Sequence, residues 1–222
     1  DDRRVVAVEP VAVQFDEGIA QAGQGGEPLG ERRGVRLAAS DQRERGRDFY
    51  NWGVTRHGTA VDPQALWARI GAWARALGFS RVGVAGVDLS AAEPGLAQWL
   101  AAGFHGGMDY MAAHGLKRAR PAELVPGTVS VITARMDYLP QGAGDDWQSD
   151  ELARLQRPQE GIVSIYARGR DYHKVLRARL QRLQDQIAAE IGPFGHRVFT
   201  DSAPVLEAEL AARSGQGWRG KH

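Results

Sequence analysis

Asp201 stands in Asp201-Ser-Ala-Pro-Val205, after the short apolar run from Arg197 to Thr200 and just before a segment that Pro204 can open as a helix. A carboxyl at the end of a strand and the start of a helix can point into a cleft beside unpaired backbone N–H groups. Two roles fit that placement: a general acid, or the cap or turn aspartate that helix starts favour. Upstream runs a basic series, Arg168, Arg170, Lys174, Arg177, Arg179 and Arg182, interrupted by Asp171 and interleaved with Tyr166, Tyr172 and His173. Such a series can track phosphates along a nucleic acid, and it equally suits a solvated helix face. Lys117, Arg118 and Arg120 form a second basic group. A third feature is Gly215-Gln-Gly-Trp-Arg-Gly-Lys221, whose glycines would let backbone approach a bulky ligand or simply turn the chain after a helix. Its spacing is that of neither a P-loop nor a dinucleotide fingerprint. The histidines, at 57, 105, 114, 173, 196 and 222, lack metal-ligand spacing, so no metal site is expected among them.

The elements that must position these residues begin at Asp62. Asp62 as N-cap, Pro63 at the first helical position and Leu66, Ile70, Trp73 and Leu77 at helical spacing predict a helix that Gly78 ends. Arg81 to Val87 and Val129 to Tyr138 alternate as strands, with a short helix expected over Pro94 to Ala101 and a packed turn over Gly103 to Met111. Residues 142–160 are polar and irregular, which predicts a loop, and Ile162 to Ala167 reads as a strand. The strongest helical pattern is Asp171 to Ile191, with Tyr172, Leu176, Leu180, Leu183, Ile187 and Ile191 on one face and Gly192-Pro193 as the stop. Arg197 to Thr200 reads as a strand into Asp201, and Pro204 to Arg213 as a helix closed by Gly215. Strands and helices mix without a repeating βαβ unit, so the expected class is α+β, a mixed sheet with packed helices.

Residues 1–60 differ: the stretches 21–34 and 40–47 are rich in Gly, Arg, Gln and Glu without sustained period, so a disordered extension is expected ahead of a domain over 62–222. With 222 residues, 43% hydrophobic and 25% charged, the chain can bury a sizeable core. It has no apolar run long enough to span a membrane and no signal-peptide pattern at its start, so a cytoplasmic protein is expected. A formal net charge of +1 is too balanced to argue nucleic-acid binding from totals. The cysteine count is zero, which excludes a disulfide framework, a thiol nucleophile and a cysteine-held iron-sulfur cluster within these residues.

Three segments occur together and in order: Tyr166-Ala-Arg-Gly-Arg-Asp-Tyr-His-Lys174, Asp201-Ser-Ala-Pro-Val-Leu-Glu207 and Gly217-Trp-Arg-Gly-Lys-His222. With Phe104-His-Gly-Gly-Met-Asp-Tyr-Met111, Lys117-Arg-Ala-Arg-Pro121, Leu124-Val-Pro-Gly127 and Met136-Asp-Tyr-Leu-Pro140, the pattern over residues 63–222 resembles the tRNA epoxyqueuosine reductases of queuosine biosynthesis. The resemblance implies a cytoplasmic, monomeric oxidoreductase. Its substrate would be tRNA bearing epoxyqueuosine at the wobble position, and its cofactors cobalamin and two 4Fe-4S clusters. It also implies a fold distantly like nitroreductases and the N-terminal part of reductive dehalogenases. Removing an epoxide oxygen to leave an alkene needs two electrons and a proton for the departing oxygen. By the family pattern Asp201 is the proton donor and also touches the cofactor, with Arg118, Ser164 and Lys221 as further cobalamin contacts. A carboxyl that holds a proton near neutral pH needs a raised pKa, which burial beside the corrin and nucleobase would supply.

Two positions depart from that pattern. Ile165 stands where a basic residue is expected, and Gln216 where an aliphatic one is, which would weaken packing. The family's clusters belong to a cysteine-rich module, so this chain is expected to be an incomplete form that binds cobalamin weakly and does not turn over unaided. Two other readings remain: a noncatalytic tRNA- or partner-binding module that keeps the fold, and a small hydrolase pairing Asp201 with a histidine such as His173.

Overall fold

The computed structural model describes residues 6–11, 54–56, 59–140 and 142–219, with residues 6–11, 54–56 and 59–60 described as backbone only. The disorder expected over 21–34 and 40–47 lies outside the described residues. Within the same N-terminal segment, Val6–Val11 forms strand β1, and Val54–Arg56 (β2) pairs antiparallel with Thr59–Val61 (β3).

Helix α1, Pro63–Ala76, starts as its sequence dictates: the Asp62 carboxylate accepts from the Gln64 N–H at 3.0 Å, and Pro63 occupies the first turn. At its other end Gly78 takes φ 87°. Its N–H donates to Arg75 O while Phe79 N–H donates to Ala74 O, the paired bonds of a Schellman motif. Strand β4, Arg81–Gly86, follows, and then α2, Glu93–Ala101. Short helices α3 (Asp109–Ala113) and α4 (Pro121–Leu124) flank a 3₁₀ turn over Gly115–Ala119. Strand β5, Ser130–Asp137, pairs antiparallel with β1 on one side and β4 on the other. The expected mixed sheet is thus antiparallel throughout in order β1-β5-β4.

Alternation along β5 divides the core in two. Ile132 and Ala134 face one side, where Val84 joins Leu66, Ile70 and Ala74 of α1 and Leu176, Leu180, Leu183, Ile187 and Ile191 of α6, Tyr172–Ile191. Val131 faces the other, with Ala85, Phe199, Val205 and Leu210. Leu210 belongs to α7, Glu207–Arg213, which lies across that face. Each fully buried Leu or Ile contributes about 1.5–3 kcal/mol of apolar transfer, so the long α6 stripe is the largest single contribution to the first cluster. On the α7 side, Ser214 Oγ lies 2.6 Å from Thr133 Oγ1, and buried Gln216 donates through Nε2 to Thr133 O and Oγ1 at 3.3 and 3.2 Å. Gln216 is thus received on one side by a polar patch on β5, while its Oε1 is buried without a hydrogen-bond partner, a cost an aliphatic residue would not carry. Gly83 lies opposite Thr133 in the ladder, and a Cβ there would collide with the Ser214 carbonyl oxygen.

Four expectations give way. The loop expected over 142–160 contains helix α5, Trp147–Leu155, pinned by Arg168, whose Nη1 donates to Glu151 Oε1 at 2.7 Å and whose Nη2 lies 2.5 Å from Oε2. The strand expected over Ile162–Ala167 is instead an exposed run ending in a 3₁₀ turn at Ile165–Ala167, because no ladder partner reaches it among the described strands. Arg197–Thr200 joins no ladder among the described strands; Val198 enters the first cluster and Phe199 the second. The final helix opens at Glu207 rather than Pro204.

Candidate functional site

The start of α6 and the turn before α7 bring Asp201 together with two side chains that are neighbours in sequence but 28 and 29 residues away from it. Asp171 caps α6 by accepting from His173 N–H at 3.0 Å, which sets Tyr172 and His173 on the first turn. Asp201 has φ 49°, the only positive φ at a non-glycine among the described residues. Asp is one of the few residues that visits the left-handed region, and a residue held there is overdetermined by its surroundings. Tyr172 OH donates to Asp201 Oδ2 at 2.5 Å, and His173 Nε2 lies 3.6 Å from the same oxygen. The Tyr172 and His173 rings stack with centroids 4.0 Å apart. Tyr166 meets Tyr172 edge-on at 5.7 Å, and Tyr138 meets Tyr166 at 6.2 Å. Burial, and then the neighbouring Tyr166, push the Tyr138 phenol up. The result is an aromatic wall ending at a carboxyl.

Behind Asp201 stands a second carboxyl. Glu207 opens α7, and burial first, then the charge of Asp201, push it from 4.5 to about 7, against the pull of Arg118. Asp201 itself keeps a side chain 37% exposed, so this chain alone does not supply the burial expected for it. Arg118 is 7% exposed, and its guanidinium is committed inward: Nε donates to Met111 O at 3.2 Å and Nη2 to Tyr110 O at 2.9 Å. Its own carbonyl accepts from Leu206 N–H at 3.0 Å, which ties the turn carrying Asp201 and Glu207 to the 3₁₀ segment. Arg118 thus acts here as a strut beneath the site.

Ser164 is exposed at the start of the 3₁₀ turn, between Val163, 54% exposed, and Tyr166, 48% exposed. Ile165 packs partly inward in that turn. Lys221 lies outside the described residues. In the basic series, Arg168 is consumed by Glu151, and Arg179 turns toward Met136 and Gly78, leaving Arg170, Lys174, Arg177 and Arg182 facing solvent. Of the second basic group only Lys117 is exposed, since Arg120 is clamped by Glu93 at 2.8 and 3.0 Å. The feature that sequence reasoning missed is Glu207; its signal was a second carboxyl six residues beyond Asp201, in the turn that both share. Among the described residues no helix is long and apolar enough to cross a membrane.

With this geometry in place, comparison with known proteins gives a consistent result. The family described as "Epoxyqueuosine reductase QueG, DUF1730" matches residues 118–202, a span that holds Arg118, Tyr172, His173 and Asp201. The epoxyqueuosine reductase of Alicycliphilus denitrificans is 80% identical over 157 residues, covering 71% of this chain and 44% of that protein. That of Burkholderia pseudomallei is 64% identical over 167 residues, covering 71% and 41%. Among solved structures, a selenomethionine-labelled epoxyqueuosine reductase matches with a TM-score of 0.58 at 21% identity, over 71% of this chain and 40% of the other. One from Streptococcus thermophilus matches at 0.53 and 22% identity, over 69% and 40%. At that identity the two structures show a shared fold, and the chain spans less than half the length of the relatives it matches.

Proposed function

We propose, from the premise that this chain is a relative of the epoxyqueuosine reductases, that its domain binds cobalamin and presents Asp201 as the proton donor for reducing epoxyqueuosine to queuosine in tRNA. The observation that carries the reading is Asp201 itself, held in a left-handed conformation against Tyr172 and His173 inside the matched span. Loss of an epoxide oxygen as water takes two electrons and two protons, and a carboxyl placed beside the departing oxygen supplies one of those protons. Cobalamin, when bound, supplies the low-potential chemistry that side chains lack.

The residues present fit such a group. Gly161, Gly169 and Gly217 have open space where a side chain would stand, and Ile162, Val163, Ser164 and Tyr166 form an exposed, mostly apolar run with one hydroxyl. A broad cofactor seated there would cover apolar surface that otherwise faces water. Ser164 would hold a polar edge of it, and Lys221 a further one, while Arg118 would act through the turn it braces. Covering the Asp201 carboxyl would also desolvate it and favour its protonated form. The distant likeness to nitroreductases and reductive dehalogenases is part of the same reading, supported by the helix-sheet-helix layering. For the clusters the chain does not fit: with no cysteine it offers no thiolate. Arg170, Lys174, Arg177 and Arg182 line the exposed face of the segment that begins beside Asp201, where a tRNA backbone would be met by charge.

An absorbance titration with cob(II)alamin tests the binding. A saturable spectral change is expected in the wild type and in Asp201→Asn, and its absence from both would sink the reading. Product formation from modified tRNA with a chemical reductant is then expected only where Asp201 is present. Salt-dependent tRNA retention without corrin binding would replace the enzyme reading with a noncatalytic tRNA-binding module.

A further inference from the structure

Asp171, His173 and Asp201 lie in a line that the proton-donor reading does not by itself use. Asp171 Oδ1 is 3.0 Å from His173 Nδ1 and also accepts from the His173 backbone N–H at 3.0 Å, so one carboxylate sets the ring's orientation and favours the tautomer that carries its proton on Nδ1. The hydrogen bond from His173 holds Asp171 well down in its ionised form. With Nδ1 engaged, Nε2 is directed at Asp201 Oδ2, 3.6 Å away. Tyr172 keeps the pair in register from both sides, stacking on the imidazole at 4.0 Å and donating its hydroxyl to the same Oδ2. The imidazole side chain is itself half exposed, so the ring is open to solvent. A histidine whose one nitrogen is pinned by a carboxylate and whose other faces a second proton-carrying group is the arrangement of a proton shuttle.

We propose that His173 is a positioning and proton-feeding residue for Asp201. After Asp201 gives its carboxyl proton to the departing oxygen, the proton on imidazolium Nε2 passes to Asp201 Oδ2. This leaves a neutral acid, and a neutral imidazole that keeps Nδ1–H toward Asp171 and regains its Nε2 proton from solvent. No electron moves in this step, and one proton is transferred for each proton donated. Asp171 stabilises the imidazolium before transfer, and Tyr172 holds Oδ2 within reach. The other charged groups facing the pair are Lys174, 3.8 Å from Asp171 Oδ2, and Glu207 and Arg118 behind Asp201. The inference rests on the proton-donor role of Asp201, but its geometry can be tested without cofactor or turnover.

The test is a pH titration by NMR of the whole 222-residue chain, labelled with ¹⁵N in histidine and ¹³C in aspartate. Nδ1 of His173 is expected to stay protonated throughout, with Nε2 the nitrogen that titrates. The Asp201 ¹³Cγ signal should show an inflection at the same pH as Nε2, since interacting groups share macroscopic transitions. That inflection should vanish in His173→Gln, and the Nε2 profile should change in Asp201→Asn, so that either variant alone suffices if the other fails to fold. A neutral ring protonated on Nε2, or an Asp201 signal indifferent to His173→Gln, overturns the proposal. Failure of cobalamin to bind would instead overturn the reductase reading and leave this result standing.

Discussion

Glu207→Gln isolates the energetic consequence of placing a second carboxyl behind Asp201. Burial raises Glu207 from 4.5 to about 7, so between those values the folded chain binds a proton that the unfolded chain has released. The associated stability is fully present below pH 4.5 and is lost as pH rises through 7. At 1.36 kcal/mol per pH unit the total is about 3 kcal/mol. Glutamine has the shape of the neutral acid and no charge to desolvate, so it should match the wild type near pH 4 and exceed it by about 3 kcal/mol at pH 8. Urea unfolding at a series of pH values reads this directly. With a urea slope of about 1–3 kcal/mol per molar, the midpoints should coincide at pH 4 and separate by about 1–3 M at pH 8. Subtracting the variant's curve from the wild type's removes the background that the two proteins share. It also removes Glu93, Glu151 and Asp171, whose partners hold them down and confine their effect to lower pH. A difference between the two proteins that does not change from pH 4 to 8 would refute the claim that Glu207 is buried beside a like charge.

Gly83→Ala should lower stability by about 1–3 kcal/mol in thermal or urea unfolding, because the added methyl displaces the end of α7 from β5. Arg118→Lys should cost about 2–3 kcal/mol despite keeping the charge, since an ammonium cannot span the Tyr110 and Met111 carbonyls as the guanidinium does, and a buried acceptor is left unpaired. Full stability in that variant would remove the strut role. At Asp201, alanine should cost about 1 kcal/mol more than glycine, because only glycine adopts φ near 50° without a Cβ penalty. Equal stability of the two variants would show that the left-handed conformation is not held.

What was legible in the sequence was whatever a segment decides for itself. The Asp62-Pro63 start and Gly78 stop of α1, and the uninterrupted Leu176-to-Ile191 stripe of α6, are local signals, and both helices form where they predict. The misplaced elements depend on partners. Ile162 to Ala167 has the composition of a strand, but a strand exists only where another edge accepts its hydrogen bonds. Arg197 to Thr200 alternates correctly, and Val198 and Phe199 do enter opposite clusters, yet the ladder that alternation usually implies is absent. Helix α5 was hidden for the converse reason: it buries none of its residues, leaves Leu152 and Leu155 exposed, and is anchored by an ion pair to Arg168, 17 residues beyond Glu151. The site follows the same division. Asp201 could be named from its motif, but its working environment is made by Tyr172 and His173 at the start of one helix and Glu207 at the start of another. Those two helix starts converge because α6 and α7 pack on opposite faces of the same three-stranded sheet, and the turn carrying Asp201 is tied down by Arg118. On the proton-donor reading, the environment of Asp201 is therefore a property of the sheet's two-sided core as much as of the carboxyl.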